Sequence, residues 1–151
     1  MALNDDIALL AAVPLFQGLD REQLRLIAFG AEHRRVKAGE VLFQERAPAE
    51  SAYIVAGGRF ELSRKGRDGG KVIESVVGEG TLLSELALAT MVERKFTAVA
   101  LEEGDVIRIT RALFHRLIEE YPEMARTVEN RIRDTIAALA QQASALQHRF
   151  Q

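Results

Sequence analysis

No cysteine occurs in the 151 residues, which excludes a disulfide framework and a thiolate metal site and suits a reducing compartment. No apolar run approaches the length of a membrane span. Met1 to Leu19 is partly apolar, but it carries Asp5 and Asp6 where a secretory leader carries cations. A soluble, cytoplasmic protein with no membrane partner is expected. Charge of one sign is lacking too: 20 Lys/Arg against 22 Asp/Glu leave a formal net charge of -2, and no Lys/Arg-rich block offsets this locally. Nothing here attracts a nucleic-acid backbone. His33, His115 and His148 share no metal-ligand spacing, and no Ser, Thr or Cys sits in a nucleophile motif. Neither a metal nor catalysis is expected.

The length suits one domain with a core and some appendages. Asn4 is placed to cap a first helix with Ile7, Leu10 and Ala11 on its apolar face, ending before Val13-Pro14. Asp20, with Gln23 three residues on, predicts a capped second helix that buries Leu24, Ile27 and Ala28. From Glu32 the apolar period changes to two. Val41-Leu42-Phe43, Tyr53-Ile54-Val55, Phe60 to Arg64, Lys71 to Val77, Thr97 to Leu101 and Asp105 to Ile109 read as strands, with Gly57-Gly58 and Gly66 to Gly70 as turns. Many short strands with glycine turns predict an antiparallel barrel or sandwich.

Thr110 or Arg111 starts a helix through Phe114, Leu117 and Ile118, and Pro122 opens another at its tolerated first turn. In that last helix Met124, Val128, Ile132, Ile136, Leu139, Ala143, Leu146 and Phe150 form a stripe. From Ile132 onward its steps alternate four and three, the spacing of a coiled-coil seam. The division expected is 1–121 for the barrel with its N-terminal helices and 122–151 for a lid and dimerisation helix, the protein being a homodimer with twofold symmetry.

One stretch carries chemistry. In Gly78-Glu79-Gly80-Thr81-Leu82-Leu83-Ser84-Glu85-Leu86-Ala87-Leu88, two glycines make a turn and Ser84 stands as an N-cap, so Glu85 to Ala89 is expected to form a short helix with free amides. Arg94 returns a permanent cation, Lys95 offers a second, and Glu85 adds an acceptor for a sugar hydroxyl. Together they suit an anion beside a hydroxylated ring.

Gly78-Glu79-Gly80, Ser84-Glu85-Leu86-Ala87-Leu88 and Arg94 through Thr97 resemble the phosphate-binding cassette of cyclic nucleotide-binding domains, the family of the catabolite activator protein and the protein kinase A regulatory subunit. Gly39-Glu40-Val41-Leu42-Phe43 and Ser51 to Val55 with Gly58 are similar to the first half of that family's jelly roll. The resemblance implies a mainly β fold with flanking α: an antiparallel jelly-roll β-barrel with N-terminal helices and a long C-terminal helix. It further implies that Glu85 binds the ribose 2'-hydroxyl, Arg94 the cyclic phosphate, and the amides of Leu86 and Ala87 its oxygens. The ligand implied is cAMP, with cGMP possible, and the signal passes through the C-terminal helix.

Three departures stand in the sequence. Ser84 replaces a family glycine, Lys95-Phe96 replace small residues after the arginine, and Glu45-Arg46-Ala47 stand where the family has Glu-Gly-Asp. They motivate an alternative, a ligand-free relative serving as a dimerisation or protein-interaction module. The chain leaves no room after its last helix for the DNA-binding domain of related transcription factors, so direct nucleic-acid binding is not expected.

Overall fold

The computed structural model describes the backbone of residues 2–149 and the side chains of residues 5–141. Helix α1 (Ala2–Ala11) starts ahead of Asn4, which therefore lies inside the helix instead of capping it; its side chain is outside the described residues. Ile7 and Leu10 are buried, whereas Ala11 is exposed. Asp20 behaves as its spacing predicts. Its carboxylate accepts the Gln23 amide at 2.8 Å, the Gln23 side chain accepts the Asp20 amide at 3.0 Å, and this closed capping box starts α2 (Arg21–Gly30).

Ten strands come next: β1 (Glu32–Val36), β2 (Val41–Phe43), β3 (Pro48–Ala49), β4 (Ser51–Gly57), β5 (Phe60–Lys65), β6 (Lys71–Val77), β7 (Leu82–Leu83), β8 (Val92–Glu93), β9 (Thr97–Ala100) and β10 (Gly104–Thr110). All pairings are antiparallel, in a sheet ordered β1-β10-β4-β7, a second ordered β2-β9-β5-β6 and a small β3-β8 ribbon. With helices α3 (Arg111–Glu120) and α4 (Pro122–Arg149) this is the expected jelly-roll barrel with flanking helices.

Strand alternation divides the apolar interior in two. On β4, Tyr53 and Val55 face the barrel lumen with Val36, Leu42, Phe60, Leu62 and Val106. Ala52 and Ile54 face the other way, with Ile107 and Ile109 of β10, against Phe16, Ile27, Phe114 and Met124 of the helical layer. The central strands are thus buried on both faces, which explains their nearly continuous apolar runs. Thr110 caps α3 by accepting the Leu113 amide at 3.1 Å.

The stripe of α4 splits. Met124, Val128 and Ile132 join the core under the helices, while Ile136 and Leu139 are 52% and 40% exposed. The remaining seam positions Ala143, Leu146 and Phe150, and His148, lie outside the residues whose side chains are described.

Candidate functional site

The cassette begins at a turn that only glycine adopts without strain. Gly80 sits at φ +90°, its amide donates to the Val55 carbonyl at 2.8 Å, and the Val55 amide donates to Thr81 at 3.0 Å. This anchors β7, whose Leu83 pairs with Tyr53. Ser84 then turns left-handed, with φ 65° and ψ 45°.

The cap expected of Ser84 does not form. An N-cap side chain reaches the following amides from an extended backbone, and Ser84, in the left-handed region, makes no side-chain cap bond. Its conformation also explains why the family places glycine here. The chain then makes a single 3-10 turn over Glu85–Leu88 in place of an α-helix reaching Ala89. The Ala87 amide donates to the Ser84 carbonyl at 3.0 Å. Among the described residues, the amides of Glu85 and Leu86 meet no acceptor.

The Glu85 carboxylate faces α4. Thr135 Oγ1 lies 3.3 Å from Glu85 Oε1 and 3.1 Å from the Arg131 carbonyl, so its single proton is shared between them. Partial burial raises the Glu85 pKa above its usual value, and the Thr135 hydroxyl opposes that shift. A cavity of about 270 Å³ between Glu85, Leu15 and the Arg131-to-Ala138 face of α4 borders this carboxylate.

Arg94 lies inside the barrel and is 6% exposed. Nη1 donates to the Ser51 carbonyl at 2.7 Å and Nη2 to the Ser51 hydroxyl at 3.3 Å. The guanidinium carbon stands 4.6 Å from the Phe43 ring centroid and 5.4 Å from that of Tyr53, two rings that stack at 5.9 Å. Arg108 Nε reaches the same Ser51 hydroxyl at 3.2 Å, and its Nη1 pairs with Glu32 at 3.0 Å. Arg94 itself has no carboxylate within ion-pair distance among the described residues. Burial lowers its pKa and the like charge of Arg108 adds to this, while Tyr53 and Glu50 oppose it. The structure brings Glu85 and Arg94 onto one cassette but not into contact with each other. Lys95 is exposed, and Phe96 packs against the lumen cluster of Leu62 and Ala98, filling space that a methyl group would leave open.

Sequence reading gives no sign of two further residues. Ser51, 1% exposed, receives both guanidiniums. Arg111, at the start of α3, directs Nη1 at the carbonyls of Ala49 at 3.0 Å, Ala87 at 3.1 Å and Thr90 at 3.0 Å, holding the cassette's back to the β3 ribbon. Ser51 lies in the Ser51-to-Val55 stretch, which gives no hint of its two guanidinium partners, and Arg111 meets backbone oxygens that a sequence does not display.

No helix among the described residues is long and apolar enough to cross a membrane, and no group of three or more His, Cys, Asp or Glu among them could hold a metal ion.

The profile of the cyclic nucleotide-binding domain matches residues 33–121. A solved cyclic nucleotide-binding-like protein from Brucella abortus is 44% identical, with a TM-score of 0.70 over 76% of this chain and 98% of that one. The regulatory domain of Toxoplasma gondii PKA, crystallised with cAMP, is 26% identical, with a TM-score of 0.72 over 77% of this chain and 44% of that one. A lysophospholipase NTE1 from Chaetomium globosum is 31% identical over 80% of this chain, which spans only 8% of that relative's length.

Proposed function

Since the chain belongs to the cyclic nucleotide-binding domain family, we propose that it is a regulatory module that binds a cyclic nucleotide, cAMP in preference to cGMP, and that it is not itself an enzyme. Arg94 is the observation that carries this reading. A buried guanidinium whose hydrogen-bond partners are two neutral oxygens of Ser51, with Glu50 acting on it only from beyond ion-pair distance, has room for a closer counter-ion, and a cyclic phosphate supplies one. Such a charge-assisted contact contributes about 1.5–3 kcal/mol.

The cassette divides the remaining work. The amides of Glu85 and Leu86 are unoccupied donors for phosphate oxygens, and that of Ala87 joins them by leaving the Ser84 carbonyl. The Ser84 amide borders the same turn. Glu85 accepts the ribose 2'-hydroxyl, and Lys95 adds an exposed second cation. Glu85 meets Thr135 of α4, so a ribose hydroxyl competes with that helix for the same carboxylate. Ligand therefore favours a different placement of α4 to the extent that it binds the two placements differently. The cAMP seen with the Toxoplasma regulatory domain supports the choice of ligand. In a homodimer, the exposed Ile136 and Leu139 pass this change across the seam to the second copy.

Calorimetric titration with cAMP and cGMP tests the proposal. Saturable binding, tighter for cAMP and lost in Glu85→Ala, is the expected result. No heat and no thermal shift with either nucleotide at millimolar concentration would replace the receptor by a ligand-free interaction module, the role Phe96 in the lumen would then serve.

A further inference from the structure

A second polar cleft opens on the outside of the barrel. Along β9, Ala98 and Ala100 belong to the lumen cluster, so Thr97 points outward, opposite Ser63 of β5. These two hydroxyls floor a cavity of about 470 Å³ rimmed by the β2-to-β3 loop and the β5–β6 hairpin. That volume is in the range of small-ligand sites, roughly 300–1,000 Å³.

The cleft carries groups that the fold leaves unused. Ser63 is 5% exposed and borders the cavity; no wholly buried side-chain oxygen among the described residues lacks a partner, so its hydroxyl is open to the cleft. Thr97 Oγ1 accepts the Glu45 amide at 3.0 Å, which leaves its own proton to donate. One Glu45 oxygen accepts the Lys65 amide at 2.9 Å, leaving the other open. Of the four cations on the rim, Arg64 is paired with Glu74 and Lys71 with Glu61. Arg46 and Lys65 have no carboxylate within ion-pair distance among the described residues.

Arg46 adds an independent sign. It holds φ 71°, a left-handed conformation unfavourable to every residue with a side chain, at the position where the family has glycine. The strain is kept and a guanidinium is set at the cleft. Strained non-glycine residues concentrate at ligand sites.

We propose that this cleft is a second ligand site, separate from the cassette, for a small phosphomonoester that carries hydroxyls, of sugar-phosphate size. Its phosphate rests between Arg46 and Lys65, and its hydroxyls meet Ser63, Thr97 and the free oxygen of Glu45. No aromatic side chain lines the cleft, so a nucleobase has nothing to stack on. Two of its four cations are already neutralised, which suits one phosphate better than a polyanion.

Titration of the full chain with ribose 5-phosphate, inorganic phosphate and ribose, followed by amide chemical shifts, tests this. Saturable shifts around residues 44–46, 63–65 and 97 are expected with ribose 5-phosphate, weaker ones with phosphate and none with ribose. Arg46→Gly combined with Lys65→Gln removes both free charges while relieving the backbone, so it folds; it is expected to weaken both phosphates about tenfold or more. Ser63→Ala is expected to weaken only the sugar phosphate. Failure to saturate at tens of millimolar, affinity unchanged in the double variant, or shifts confined to residues 80–95 would each overturn the proposal. A parallel cAMP titration keeps the two sites apart: loss of cAMP binding with ribose 5-phosphate retained removes the cassette reading alone.

Discussion

Arg94 Nη1 lies 2.7 Å from the carbonyl oxygen of Ser51, and the hydroxyl of the same serine receives a second bond from Arg94 and one from Arg108. Two guanidiniums thus converge on one buried residue, and the only carboxylate paired with either among the described residues is Glu32, on Arg108. Arg94 is both a structural group and a charge with no carboxylate at ion-pair distance among the described residues.

Removing that arginine should therefore affect both stability and binding. Arg94→Ala leaves a cavity and an orphaned Ser51 carbonyl, and is expected to cost about 2–4 kcal/mol in urea denaturation and to abolish cAMP binding. Arg94→Lys keeps a charge that can reach the carbonyl but loses the planar fork. It should retain most of the stability and still bind cAMP at least about tenfold more weakly; undiminished cAMP affinity in the lysine variant would place the phosphate elsewhere.

Ser84 holds a costly backbone conformation. At φ 65° a side chain is unfavourable, so Ser84→Gly is expected to raise stability by about 0.5–1 kcal/mol, with the denaturant slope unchanged. Ser84→Val, β-branched at the same angles, should lower it by more. Equal stability of the glycine and valine variants would show that the turn relaxes freely.

The pH dependence of Glu85 has a definite sign. Its folded-state pKa is raised above the ordinary 4.5, mainly by burial, so the fold favours the neutral acid. The contribution is fully present below 4.5 and is lost as pH rises through the higher folded value. Glu85→Gln, permanently neutral, is expected to be more stable than wild type at pH 7, with the advantage shrinking as pH falls toward 4.5. Denaturation curves at several pH values check this, and a constant or growing advantage on acidification would contradict it.

Arg111 is a positioning residue. One nitrogen serves three carbonyls, a pattern that an ammonium with three donors can also satisfy. Arg111→Met should speed amide exchange across residues 85–90 and weaken cAMP about tenfold, while Arg111→Lys restores both. Rescue by lysine separates positioning from general destabilisation, and equal exchange in the methionine variant would show that the cassette holds itself.

The proposed homodimer rests on the exposed end of α4. Met124, Val128 and Ile132 are committed to the chain's own core and Ile136 is half exposed, the face a second copy would cover. Sedimentation is expected to show a dimer for the wild type and a monomer for Ile136→Glu. A monomeric wild type at high protein concentration would remove the seam.

Much of this molecule was legible in the order of its residues because the signals are local. A capping box needs only Asp20 and Gln23, a hairpin only its glycines, and the longer strands announce themselves by short apolar or alternating runs between turn residues. The family likeness is local as well, carried by the run from Gly78 to Thr97. Left-handed backbone at Ser84 was legible only through the family glycine that it replaces, because its own residue type favours a cap.

The sequence by itself determined the longer strands, the α-helices and which segment forms the cassette, since short-range spacing and backbone preference decide those; the two-residue strands β3, β7 and β8 come from pairing across the fold. Only the tertiary structure decided that Arg94 turns to Ser51, that Glu85 turns to Thr135, that Arg111 holds the cassette from behind, and that α4 gives Met124, Val128 and Ile132 to its own core. The three side-chain contacts join residues at least twenty-one positions apart. Such partners are set by how two sheets and a helical layer close around shared volume, and no local preference records that closure.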